Sequence, residues 1–528
     1  MTGTPDPRPP RWRRSRRWPF AASGAIAAAL LFGVAEIVSV LFSPASSPLV
    51  AVGAAFIDVT PAWLKDFAID VFGTADKLVL FISMGVVALV VAAGLGLLAR
   101  RRLAVASALC VAIAVLLGVA VVSRAGAGAV DLVPTAAGGV AGLAALNGLV
   151  RLAHRSVPSG GSPPSAAERP GARPARRTFL VAAGLTTVVA AVTLAGGRAL
   201  SAAGSAVAAT RDALKLPGAR RTAAALPDGV GAPAPGMPPF VTPNGEFYRI
   251  DTALSVPRID PSTWELRVHG MVEEEFTLSF AELLELDLEE TWLTLTCVSN
   301  PVGGELAGNA KWLGYPIRDL LARARPQAGA DMVLSTSADG FSASTPLEAL
   351  TDDRAALLAV GMNGEPLPLE HGFPVRMVVP GLYGYVSATK WVVDLEVTRF
   401  ADRTAYWTQR GWSERGPIKL ASRIDVPRGF ETVPAGGAVL GGTAWSQTIG
   451  IEAVQVQVDE GEWQDATLAA EATVDTWRQW SFDWDGEPGE HTARVRAVNR
   501  DGEVQTSERA DTVPNGASGW HQVRFRAE

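Results

Sequence analysis

At 528 residues, 48% of them hydrophobic, the chain is long enough for more than one domain. Its net charge of −6 and pI near 5.6 exclude nucleic acid as a partner for the chain as a whole. Two cysteines, Cys110 and Cys297, are too few for a disulfide framework.

Arg11, Arg13, Arg14, Arg16 and Arg17 lead into an apolar run from about Phe20 to Phe42 that is long enough to cross a bilayer. Further candidate crossings run from Leu78 to Ala99, Leu103 to Val122, Val130 to Leu152 and Phe179 to Leu200. Arginines at 100–102 and at 151, 155, 169, 173, 176 and 177 flank these runs, while Asp58, Asp66, Asp70 and Asp76 mark the opposite side. The excess of positive charge on the inner side predicts about five crossings over residues 1–200, with a cytoplasmic amino terminus and everything after about residue 201 outside. Arg176-Arg-Thr-Phe-Leu180 before the last run resembles a twin-arginine export signal in an internal position. Histidines stand only at 154, 269, 371, 491 and 521, and His154 alone is near a crossing, so no paired-histidine haem is expected in the membrane.

Residues 201–243 are rich in Ala, Gly and Pro, and predict a tether of little fixed structure. Beyond it, Trp264 to Gly270 alternates as a strand, Leu278 to Leu288 has the spacing of a short amphipathic helix, and Met332 to Thr336 reads as a strand. Thr291, Leu293, Leu295 and Cys297 alternate with Trp292, Thr294 and Thr296, and Ser-Asn-Pro then breaks the strand. Cys297 is therefore a lone thiol at a strand end, since Cys110 lies inside an apolar run that no disulfide from this position reaches. No histidine can be placed beside it by spacing, which disfavours a cysteine-nucleophile hydrolase. A further strand, Val375 to Val379, is bracketed by prolines and sets His371, Arg376 and Lys390 near strand ends, where polar side chains converge on ligands. From about Arg428, alternating segments at Ile451–Val458, Arg478–Trp484, Glu490–Val498 and His521–Arg526 predict an all-β sandwich.

Cys297-Val-Ser-Asn, Lys311-Trp-Leu-Gly-Tyr-Pro, the run His371-Gly-Phe-Pro-Val-Arg376 with its following Pro-Gly, and Ser387-Ala-Thr-Lys-Trp391 occur in that order. Together they resemble the sulfite oxidase family of molybdenum enzymes, including bacterial exported members, over residues from about 240 to 400. With the apolar runs and the tether, the expected chain is multi-domain, with N-terminal transmembrane helices (1–200) and a linker (201–243); the resemblance implies an α+β molybdopterin domain (244–425) and an immunoglobulin-like, dimerisation-type β-sandwich (426–528). It implies one molybdenum-molybdopterin per chain, with Cys297 as the protein ligand to the metal. His371, Arg376, Ser387 and Lys390 match positions that hold the pterin and its phosphate, with Asn300 and Thr336 as further candidate contacts.

A thiolate is a soft donor suited to redox cycling, and an anionic tail calls for the fork of Arg376 and the point charge of Lys390. Arg249 and Arg410, each in an aromatic neighbourhood, are candidate substrate contacts. Where sulfite oxidases carry an active-site tyrosine, this loop offers Trp412, with Tyr406 six residues earlier, which departs from a sulfite site. The expected activity is oxygen-atom transfer on a small molecule at the outer face of the membrane, by sulfite oxidation or by reduction of a sulfoxide or N-oxide. Electrons would pass to or from a separate protein or a quinone-linked membrane partner, and the C-terminal domain would support a homodimer. The alternative is a non-enzymatic membrane scaffold or sensor that keeps the fold.

Overall fold

The computed structural model describes residues 17–39, 42, 46–60, 76–123, 128–156, 172–202, 205–253 and 256–528, which divide into two compact units, 1–205 and 206–528. Arg11 to Arg16, Asp66, Asp70 and Arg169 lie outside the described residues, as do the side chains of Asp58, Asp76, Arg173 and Arg176.

The first unit is helical: α1 (Trp18–Ser39), α2 (Pro48–Val59), α3 (Asp76–Ala99), α4 (Leu103–Val122), α5 (Leu132–Ser156) and α6 (Ala172–Ala202). Four stretches, Trp18–Ser39, Ile82–Ala99, Leu103–Val122 and Ala129–Arg155, are long and apolar enough to cross a membrane, and α6 carries a shorter apolar stretch, Arg177–Val192. The short helix α2 had no counterpart among the expected segments. Small residues let the helices touch backbone to backbone. A side chain at Gly24 would fall 1.9 Å from the carbonyl oxygen of Ala92, and one at Gly96 would fall 2.0 Å from that of Phe20. His154 lies between two carbonyls, with Nδ1 at 2.9 Å from Val150 O and Nε2 at 3.0 Å from Arg100 O.

The second unit begins in α7 (Ser205–Ala213), whose Arg211 is bonded to Glu365 at 2.9 Å and to Pro366 O at 2.7 Å. Residues 214–243, expected to be a loose tether, form a fastened strap. Arg220 N donates to Leu288 O at 2.7 Å and Trp292 Nε1 to Ala224 O at 2.9 Å. Farther along the strap, Trp477 Nε1 and Gln479 Nε2 donate to Phe240 O and Pro238 O, each at 3.0 Å. The strap's backbone N–H and carbonyl groups, which composition does not reveal, make the attachment.

Next come β1 (Glu265–Gly270), β2 (Phe276–Ser279), α8 (Phe280–Glu285), β3 (Glu289–Thr296), β4 (Ala307–Pro316), α9 (Ile317–Ala324), β5 (Met332–Ser337) and β6 (Ser342–Pro346). They are followed by α10 (Leu347–Thr351), β7 (Leu357–Met362), β8 (Glu365–Pro366), β9 (Arg376–Val378), α11 (Gly384–Ser387) and β10 (Val392–Thr398). One sheet runs β2-β1-β10-β5-β6 and the other β3-β4-β7-β8, with β9 also paired to β7. The expected helix over Leu278–Leu288 is shorter, because Phe276–Ser279 pairs with β1 and leaves Phe280–Glu285 to coil behind a Ser279–Glu282 capping box. One core joins Trp264, Leu266, Leu320, Met377 and Val397, and a second packs Leu293, Leu295 and Trp312 under Phe247. Both faces of β3 are therefore buried near its end. Leu293 and Leu295 enter the core, while Thr294 takes a hydrogen bond from Trp477 N at 2.8 Å on the other face.

The C-terminal part pairs two sheets, β11-β13-β17-β16 and β12-β19-β18-β14-β15. Their main strands are β11 (Ala421–Val426), β13 (Ala438–Trp445), β14 (Ile451–Val458), β17 (Arg478–Trp484), β18 (Gly489–Asn499) and β19 (His521–Ala527). Short strands β12 (Thr432–Val433), β15 (Gln464–Asp465) and β16 (Thr467–Leu468) complete the edges. Leu440, Val454, Trp480, Val495 and Phe525 fill the space between the sheets. β11 pairs with β13 from Ala421 opposite Trp445 to Val426 opposite Gly441.

Candidate functional site

Cys297 is the residue after β3, and its backbone is pinned on both sides: its N–H donates to Leu306 O at 2.9 Å and its carbonyl accepts from Asn300 N at 3.1 Å. Cys297 is 8% exposed and lines a cavity of about 110 Å³. Burial pushes the thiol pKa up, while the backbone N–H and hydroxyl of Ser299, turned to the sulfur, pull it down. Ser299 is thus built to steady a thiolate once a positive partner is present.

Arg376 opens β9 on the cavity wall, with its guanidinium tied to three carbonyls: Met377 at 3.3 Å, His371 at 3.1 Å and Ala388 at 3.3 Å. Among the described residues no carboxylate pairs with it, and burial lowers its pKa to about 10. A buried guanidinium with no counter-charge is a ready anion site. Lys390, also on the wall, bonds Asp251 Oδ2 at 2.8 Å and Glu370 O at 3.1 Å. Burial lowers its pKa to about 8 against the opposing pull of Asp251.

The other expected residues divide by where their side chains turn. His371 is buried, with Nε2 at 3.1 Å from Asn244 O, and burial followed by the nearby Arg376 charge pushes its pKa down to about 4. It stays off the cavity wall as a neutral ring whose carbonyl holds Arg376. Ser387 bonds the carbonyls of Leu382 and Tyr383 at 3.1 and 2.9 Å, so its hydroxyl is spent within its own turn. Asn300 accepts from Leu306 N at 2.9 Å and lines a separate, smaller cavity against the C-terminal part. Thr336 sits on the opposite face of β5 from its neighbour Ser337, which does reach the site. Arg249, 40% exposed, bonds Asp251 at 2.8 Å outside the cavity. Arg410 lies 3.6 Å over the Tyr406 ring, and neither is on the wall. Trp412 is on it, 5.9 Å from Tyr385 and 6.2 Å from Trp407 between ring centroids.

Sequence reasoning passed over Tyr248, Asp251, Asp339, Tyr385 and Trp407, all on the wall. Tyr248 and Asp251 flank Arg249, so the aromatic-polar cluster at 247–252 was the signal, read one residue out of phase. Burial, and after it the charge of Cys297, drives the Tyr248 phenol far above its usual range, so it is a hydrogen-bond donor at any working pH. Among the described residues no three His, Cys, Asp or Glu side chains gather to hold a metal. A metal at Cys297 therefore brings its other ligands with it, and an anionic organic group that carries a metal suits one thiol beside an uncompensated guanidinium.

Residues 253–407 match the family described as the oxidoreductase molybdopterin binding domain. The chain is 31% identical over 292 residues to human mitochondrial sulfite oxidase, covering 46% of this chain and 53% of that protein. It is 32% identical over 157 residues to an uncharacterised oxidoreductase of Bacillus subtilis, covering 30% of this chain and 76% of that protein. It spans about half the length of the curated sulfite oxidases it matches. Among solved structures it is similar to the sulfane dehydrogenase SoxCD of Paracoccus pantotrophus, at a TM-score of 0.49 and 23% identity, covering 55% of this chain and 84% of that one.

Proposed function

Because the chain belongs to the sulfite oxidase family of molybdopterin oxidoreductases, we propose that it transfers an oxygen atom to or from a small substrate at the outer face of the cytoplasmic membrane. The observation that carries the reading is the lone buried thiol of Cys297 sharing one cavity with an unneutralised Arg376. When bound, the cofactor supplies a metal able to exchange an oxygen atom and two electrons with the substrate.

Cys297 is the thiolate ligand, steadied by Ser299. Arg376 and Lys390 would receive an anionic tail, and the carboxylates of Asp251 and Asp339 could accept hydrogen bonds from the bound group. His371 and Ser387 position this wall through backbone contacts. Tyr248 donates its phenolic hydrogen bond to an oxygen near the thiol, and Trp407 and Trp412 keep bulk water from that end of the cavity. Sulfite oxidation and reduction of a sulfoxide or N-oxide are the two versions of the reaction. The intact thiol and cation pair favour either over a non-catalytic scaffold.

The arginine-flanked helices support a membrane anchor with the catalytic unit outside. Arg176 and Arg177 serve export of the folded, loaded domain. With no haem in the anchor, a separate protein or a quinone-linked partner exchanges the electrons. The two-sheet C-terminal part has the arrangement of an immunoglobulin-like domain and supports a homodimer.

Purified full-length protein tests the reading by molybdenum analysis together with sulfite-dependent dye reduction and sulfoxide-dependent oxidation of reduced dye. About one molybdenum per chain and turnover in one assay support it. A metal-free protein, silent in both assays after expression in a host that makes the cofactor, contradicts it.

A further inference from the structure

The C-terminal part grips the chain on both sides of Cys297. Ahead of the thiol, Thr294 Oγ1 accepts from Trp477 N at 2.8 Å, and the Thr294 carbonyl accepts from Gln447 Nε2. Behind it, the buried Arg423 donates from Nη1 to Gly304 O at 3.0 Å, and the His521 ring packs so closely on Gly303 that no side chain fits there. Between these contacts lies Thr296. Strand alternation turns Leu295 and Cys297 to the catalytic cavity, and Thr294 and Thr296 to the C-terminal part. Thr296 is 2% exposed, and among the described residues its Oγ1 has no hydrogen-bond partner. A buried hydroxyl without a partner is costly, and Thr296 faces the one place where a partner fits, the smaller cavity it shares with Asn300, Tyr383 and Ser422.

That cavity has a volume of about 30 Å³. A water needs about 10–15 Å³ of such space and two to four polar partners, so there is room for about two. The lining supplies the partners. Thr296 Oγ1 can donate and accept. Tyr383 Oη takes only a long hydrogen bond, from Lys419 N at 3.4 Å, and keeps its own hydrogen to give. Ser422 Oγ gives its hydrogen to Gln505 Oε1 at 2.6 Å and keeps its lone pairs. No charged side chain lines the cavity, which suits neutral water and not an ion. We propose that the smaller cavity is a site for about two ordered waters, bonded to Thr296, Tyr383 and Ser422, which complete the grip of the C-terminal part and make Thr296 a positioning residue for the Cys297 thiol. Thr296 and Tyr383 are each followed directly by a residue of the catalytic wall, Cys297 and Gly384, so a shift on one side of this close-packed partition reaches the other. The water site needs no cofactor, so its failure and that of the oxygen-transfer reading are read separately.

The test compares the full-length protein with Thr296→Val, which keeps the branched shape and removes the hydroxyl, and Thr296→Ser, which keeps the hydroxyl, all carrying Cys110→Ala and purified in detergent without cofactor. Urea unfolding gives a sign: valine lowers the midpoint if the hydroxyl is bonded to water and raises it if the hydroxyl is unpartnered. Alkylation by iodoacetamide then reads how firmly Cys297 is held. Valine is expected to lower the midpoint and to speed alkylation by about threefold, while serine stays close to the parent. A crystal structure of the parent at a resolution that shows water is expected to place water within hydrogen-bond distance of Thr296 Oγ1, and it decides the site even if the valine variant fails to fold. A raised midpoint, or a cavity without water density, overturns the site. A lowered midpoint with unchanged alkylation, or serine behaving as valine does, overturns the positioning role.

Discussion

Asp251→Asn removes one partner of the buried pair with Lys390, whose side chains are 4% and 9% exposed. At 2.8 Å the gross attraction is about 6 kcal/mol for an effective dielectric near 20, but the variant does not lose that much, because Lys390 can shed its proton instead. In the parent its pKa is already held at about 8 against 10.5 unfolded, with burial as the largest cause. That depression costs about 3 kcal/mol below pH 8, and the unfolded chain binds more protons between 8 and 10.5, so this contribution to stability rises with pH across that window. At pH 7, leaving Lys390 fully neutral costs about 5 kcal/mol relative to the unfolded chain, so the loss through Lys390 is limited to about 1–2 kcal/mol. The variant should therefore fold, with a neutral Lys390 that no longer attracts an anion. Urea unfolding at pH 7, paired with molybdenum analysis, should show a loss of about 1–2 kcal/mol together with a clear drop in metal content. Unchanged molybdenum content, or a loss of several kcal/mol, would refute this account of the pair.

His371 and His521 each have a pKa lowered to about 4 from 6.5, burial being the first cause, so the unfolded chain binds more protons between those values and stability falls as pH drops from 6.5 to 4. Each contributes about 3 kcal/mol to that fall, and His371→Gln should flatten the acid limb by that amount in unfolding scans from pH 4 to 7. Lysine at both Arg176 and Arg177 should keep a reporter fused after residue 210 in the cytoplasm, whereas normal export would leave those arginines to the charge rule alone. An absorption spectrum of the full-length protein should lack a reducible haem Soret band, and a band at one equivalent per chain would give the membrane helices a redox role.

Strand alternation places Cys297 directly after β3 and Arg376 at the start of β9, while Lys390 stands two residues before β10 in an isolated bridge to Arg376. Residues one step away were not legible in the sequence. Thr336 and Ser337 differ only in the parity of β5, and Arg249 lies between Tyr248 and Asp251, which do line the cavity. Asn300 and Ser387 satisfy backbone groups within six residues, a use of polar side chains that residue type alone cannot separate from ligand binding. The strap over 214–243 was hidden because its partners are remote: Trp477 and Gln479 reach it from 237 and 241 residues away. Strand β13 escaped for another reason. Gly441 and Gly442 blank its alternation, and a side chain at Gly442 would fall 2.0 Å from Arg423 O and 2.6 Å from the Trp480 ring.

The central claim is that Cys297 is the protein's ligand to a molybdenum-bearing cofactor, and Cys297→Ser tests it most directly. The substitution changes one buried atom, so the variant should fold in the membrane with the parent's near-ultraviolet circular dichroism. Replacement of the thiol sulfur by a hard hydroxyl donor should be visible in molybdenum X-ray absorption as the loss of one sulfur ligand from the metal, together with loss of turnover. An unchanged sulfur count with near-parental activity in a well-folded Cys297→Ser protein would contradict the account.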